Sequence, residues 1–170
     1  MADVAETIED SGRRIGHHAW IEARLFEIVG RWAGTVTEPR SRALFARQSA
    51  HHAWHAELWH GLLPALPHVS DSQLVASDEV DAELVATLSA LDDADGGDTT
   101  AGAVSRLVAL QHQVLPRLLA AYDDHLAHTT PVTDGPTMRV LHLVRADLAD
   151  DIAAGDALLA ALEATPTPPA

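Results

Sequence analysis

From residue 15 to residue 32 one set of side chains recurs in steps of three and four: Ile15, His18, Glu22, Leu25, Val29 and Trp32. That spacing places all six on one stripe of a helix. The pattern returns in three further stretches. They run Leu44, Gln48, His51, His55, Leu58, Leu62, then Val108, His112, Leu115, Leu119, Tyr122, Leu126, and finally Leu141, Val144, Leu148, Ile152, Gly155, Leu159, Leu162. No stretch alternates with the period of two that a strand requires. Four amphipathic helices in one chain have to bury their stripes against one another, so the expectation is an all-α, four-helix bundle. Abundant alanine and leucine with only 4% aromatic residues agree with helices.

The punctuation sets the order of the helices. The first is expected over about 3–33. Thr37 is placed to cap the second and Pro39 to occupy its first turn. Gly61 and Pro64 stop that helix near residue 63. The short connection between them makes the first two helices antiparallel neighbours. Residues 64–100 form a long crossover with a short helix of its own at about 78–92. The third long helix is expected over about 101–128, with Pro116 inside it. A proline there has no N–H for the carbonyl of His112, so a kink is expected. After a turn ending in Asp134, a cap candidate, the last helix runs over about 136–163. Residues 1–164 then form one domain and 165–170 a frayed, disordered tail.

The stripes are apolar at their ends and polar in their middles. His18 and Glu22 interrupt the first, Gln48, His51 and His55 the second, and His112 and Tyr122 the third, with Asp147 and Asp151 beside the fourth. Buried polar groups cost free energy unless each finds a partner. Imidazoles and carboxylates converging at mid-bundle suit iron, manganese or zinc. The metal-site candidates are Glu22, His51 and His55, with His18, Gln48 and His112 around them and Tyr122, Asp147 and Asp151 as possible additions. A hydrogen-bonded polar core without any cofactor is the alternative. His52 and His60 fall off the stripe and read as surface groups, and His125 and His128 read as cations closing the third helix.

With its paired helices and single long crossover, the chain resembles the ferritin-like superfamily of di-iron carboxylate proteins. That family sets a Glu on each of two helices and Glu-x-x-His on each of the other two. Glu22 stands at the first-helix position, and Gln48-Ser49-Ala50-His51 has the second-helix spacing with Gln in place of Glu. The third helix has Tyr122 as its nearest polar group, and Asp147-Leu148-Ala149-Asp150 or Leu148-Ala149-Asp150-Asp151 occupies the fourth-helix position. The resemblance implies a ferritin-like four-helix bundle whose long crossover carries the extra helix, with a histidine-rich, non-standard interior site. As an enzyme it would be a metal-dependent oxidoreductase or hydroxylase. A metal-free ferritin-like protein with a small-molecule pocket is the alternative. His51-x-x-x-His55 and His142-x-x-x-x-Asp147 also resemble hemerythrin-like spacing, which would imply metal or oxygen binding.

The formal net charge of −14, without a single lysine, argues against nucleic acid as a partner. No cysteine is present to form a disulfide or a thiolate site. The polar, acidic N-terminus and the lack of a long apolar run point to a cytoplasmic protein with no membrane partner. Trp20, Trp54 and Trp59 lie just off the first two stripes, which suits a homodimer contact or the wall of a pocket for a small apolar ligand.

Overall fold

The computed structural model describes residues 7–75, 79–90 and 99–164. The helices are α1 (Ile8–Thr35), α2 (Pro39–His60), α3 (Asp71–Leu74), α4 (Glu79–Ala90), α5 (Thr100–Ala109), α6 (Leu115–Ala127) and α7 (Gly135–Glu163). A π-helical turn, Leu110–Val114, links α5 to α6 without a break. Four long rods result: α1, α2, α5–α6 and α7. Among the described residues there is no strand, and no helix is long and apolar enough to cross a membrane. The tail at 165–170, residues 3–6 of the expected first helix, and residues 78 and 91–92 of the expected crossover helix lie outside the described residues.

Side-chain contacts fix the direction of every rod. Along α1 and α2, Trp32 packs on Phe45 at one end, Glu22 meets His52 and His55 in the middle, and Gly12 lies against Pro64 at the other. The pair is therefore antiparallel. The same holds for α1 against α5–α6, where Thr35 meets Arg106, Glu22 meets Tyr122 and His18 meets His125. It holds again for α2 against α7, through Gln48–Asp151 and His55–Asp147, and for α5–α6 against α7, through His112–Asp156 and Asp123–Arg145. The order is up, down, down, up. The chain between α2 and α5 runs back along the bundle.

Local chemistry explains the ends. The Thr7 hydroxyl accepts the Asp10 N–H and starts α1. At α2 the cap is Glu38 rather than Thr37: its carboxylate accepts the Ser41 N–H at 2.6 Å, with Pro39 in the first turn. The core is apolar towards both ends of the bundle, through Leu25, Val29, Trp32, Phe45, Leu107, Leu110, Leu115, Leu141, Val144 and Leu148.

Pro116 stands in the first turn of α6, directly after the π turn. Leu115 donates its N–H to the carbonyl of Leu110, five residues back, and the helix takes in one extra residue. The inward face above the turn therefore shifts by one position. Leu107 and Gln111 are buried where the spacing predicted Val108 and His112, which are exposed. Below the turn, Leu115 and Tyr122 face inward as expected.

The crossover is held by close approach. A Cβ on Gly16 would collide with the backbone carbonyl of Leu74, whose side chain is buried against α1. We expect Gly16→Ala to cost about 1–3 kcal/mol in urea unfolding. Gly34→Ala, on the same helix with nothing within 4 Å of its Cβ, is the control and should be neutral or slightly stabilising. Equal midpoints for both variants would mean that the α3 contact does not form.

Candidate metal centre

Seven-residue spacing along α2 puts Phe45, His52 and Trp59 on one buried line, with Gln48 and His55 beside it. Opposite them α1 presents Glu22, which has no exposed surface. His52 Nδ1 lies 2.5 Å from Glu22 Oε2, and His55 Nδ1 lies 3.2 Å from Oε1. The donor atoms of Glu22, His52 and His55 fall within 4.8 Å of one another, and all three residues are buried.

Two further rods complete the setting. The Tyr122 hydroxyl on α6 donates to Glu22 Oε1, and its oxygen accepts the indole N–H of Trp59 at 3.3 Å. From α7, Asp147 Oδ2 stands 3.1 Å from His55 Nε2. The His55 ring thus spans two carboxylates, Glu22 inside and Asp147 outside. A carboxylate on the second ring nitrogen is what orients a metal-ligating histidine.

Electrostatics follow from these contacts. Burial by itself would raise the Glu22 carboxyl, but the His52 and His55 imidazoles against it hold it down to about 2. Glu22 is therefore a buried anion. Burial pulls His55 the other way, yet Glu22 and Asp147 outweigh it and its pKa is raised. The position between these carboxylates calls for a cation, which is either the imidazolium or a metal ion.

Glu22 and His55 meet as the sequence predicts. His51 does not join them: its Nδ1 lies 2.7 Å from Asp151 Oδ2, and its ring stacks on His55 at 6.2 Å between centroids. His52 takes the expected place of His51 and is not a surface group. The second stripe steps 44, 48, 52, 55, 59, so a strict three-four walk misses it by one residue. The heptad of Phe45 and Trp59 around His52 was the signal for it. His112 is a correction as well. The π turn rotates it to the surface, where it pairs with Asp156 at 3.1 Å and does not join the buried cluster.

Gln48 is buried and donates to the backbone carbonyl of Asp151 at 3.3 Å, leaving its Oε1 without a partner. Asp151 is buried and also accepts from Arg47 at 2.9 Å. His18 packs on the rings of Trp59 and Tyr122, and its Nε2 stands 3.0 Å from His125 Nδ1. His125 is thus a core group and not a helix-closing cation. Burial first, then the neighbouring His125, lowers His18 to about 3. Burial and then Arg14 lower His125 to about 4, so both rings are neutral at pH 7. Trp59 is fully buried, while Trp54 is exposed.

No protein-family model, curated protein or solved structure matches the chain.

Proposed function

We propose that this chain is a ferritin-like bundle that binds one divalent transition metal through Glu22, His52 and His55. The observation that carries this reading is the convergence of three buried donor atoms within 4.8 Å, contributed by two antiparallel helices. The up-down-down-up order with one long crossover supports the ferritin-like part. Two imidazoles and one carboxylate suit iron, manganese or zinc. Three protein ligands leave coordination positions for water or substrate, as catalytic rather than structural sites do. An ion held there would supply Lewis acidity or one-electron chemistry to a small molecule, which fits a metal-dependent oxidoreductase. Asp147 supports the reading by fixing the tautomer and orientation of His55.

Elemental analysis of protein purified without an affinity tag, followed by Zn2+ titration, is the direct test. The expected result is one equivalent per chain, with affinity falling as the pH drops and protons compete for the two rings. A second reading, a metal-free polar core, draws on the fact that both Glu22 oxygens already accept hydrogen bonds. No bound equivalent, together with stability unchanged by a chelator, would establish that reading instead.

A further inference from the structure

We infer that His51 and Asp147 form an outer docking site for a divalent transition metal ion, through which the ion passes to the buried ligands. The inference rests on the metal-binding reading above. Glu22, His52 and His55 are at most 1% exposed, so an ion in solvent has no direct access to them. A loaded site needs an entry path.

The polar route lies on the seam between α2 and α7. His51 and Asp147 are about one-third exposed there, at 30% and 29% of their side-chain surface. Both adjoin the same inner group, Asp147 by a hydrogen bond and His51 by its ring, 6.2 Å away between centroids. Asp147 Oδ2 holds His55 Nε2, and the His51 ring lies over the His55 ring at an interplanar angle of 26°. The contacts Asp147–His55–Glu22 thus link this rim to the buried carboxylate through one ring.

His51 is held ready as a ligand. Its Nδ1–H is directed to Asp151 Oδ2, which leaves the lone pair on Nε2. Asp151 is itself buried and fixed on its other oxygen by the Arg47 guanidinium. This is the carboxylate–histidine support that metal ligands use, built here behind a histidine that stays outside the buried cluster. Arg47 and His51 occupy both Asp151 oxygens, so Asp147 is the carboxylate that faces an arriving cation. One imidazole nitrogen and one carboxylate oxygen select the same class of ion as the inner donors.

A group that acts only on passage changes uptake and release by the same factor and leaves the equilibrium alone. The experiment follows Co2+ uptake by its visible absorption, and its loss to excess EDTA, in the wild-type protein, His51→Ala and His51→Gln. Circular dichroism confirms that each is folded. For both variants we expect capacity of one equivalent and an unchanged Kd, with uptake and release each slowed by about tenfold. Gln keeps a donor for Asp151 but lacks the ring lone pair, so rescue by Gln would assign His51 a structural role and overturn the proposal. Rates equal to wild type would overturn it too. A weakened Kd with faster release would make His51 an inner ligand, again contrary to the proposal. Failure of the wild-type protein to take up Co2+ would end the metal-binding reading and this inference together.

Discussion

His55→Ala is expected to abolish metal binding and to lower the stability of the metal-free protein by about 2–5 kcal/mol. The two effects have one origin. His55 is the group that faces both carboxylates, with Glu22 on Nδ1 and Asp147 on Nε2. Without it the buried Glu22 anion loses one of its hydrogen-bond partners and keeps Tyr122 and His52. The void left by the ring adds to the cost. Glu22→Gln should destabilise less, because the amide fills the same space and removes the buried charge rather than stranding it. It should still bind no metal, having lost the anionic ligand. Urea unfolding in a chelator and Zn2+ titration read the two effects separately. A His55→Ala protein as stable as wild type would show that the Glu22–His55 contact does not form.

Acid is expected to destabilise the protein from about pH 6.5 downward, through His18 and His125. Both rings are neutral in the fold, lowered to about 3 and about 4, whereas an unfolded histidine titrates near 6.5. Between those limits the unfolded chain binds more protons than the native one, so stability rises with pH. The contribution is complete above about 6.5 and is lost as the pH falls towards 4 and then 3. The loss by pH 4 should be on the order of several kcal/mol for the pair. His55 acts in the opposite sense but elsewhere. Its raised pKa makes its contribution full below about 6.5 and lost as pH rises above that. Glu22, held at about 2, adds its own acid loss as the pH falls from the ordinary glutamate value near 4.5 towards 2. Urea midpoints at pH 7 and pH 5 should therefore differ strongly in the wild-type protein and weakly in a His18→Phe, His125→Leu double variant. Equal slopes in the two proteins would place the imidazoles in water.

The fold was legible because an apolar stripe of helical period runs through each long segment and glycine and proline mark the breaks between them, even where a stripe or a cap falls one residue away. Leu44 and Leu25 lie in the core on the stripes that predict them, and Gly61 ends α2 as a stop signal should. The site was legible only to the nearest residue. On α1 the stripe carries straight to His18 and Glu22, and both are buried. On α2 adjacent histidines at 51 and 52 make a one-residue choice decisive, and the aromatic line of Phe45 and Trp59 settles it for His52. His112 was misplaced for a different reason. A π turn is set by a hydrogen bond to the residue five positions back, and hydrophobic spacing does not encode that bond directly. Which ring nitrogen meets which carboxylate depends on distances between helices, about which spacing along one helix is silent.

The three proposed ligands all come from the first two helices, which a connection of only three residues, Val36 to Glu38, holds together. Glu22 and His55 are 33 residues apart in sequence, whereas Tyr122 is 100 from Glu22 and Asp147 is 92 from His55. Closing a short loop costs less entropy than closing a long one, and local contacts form sooner. The α1–α2 hairpin is thus the part of the bundle that reaches its native pairing at the lowest entropic cost. Tyr122 and Asp147 belong to the second pair of rods, as the lid and the outer wall of a site whose centre lies on the first pair.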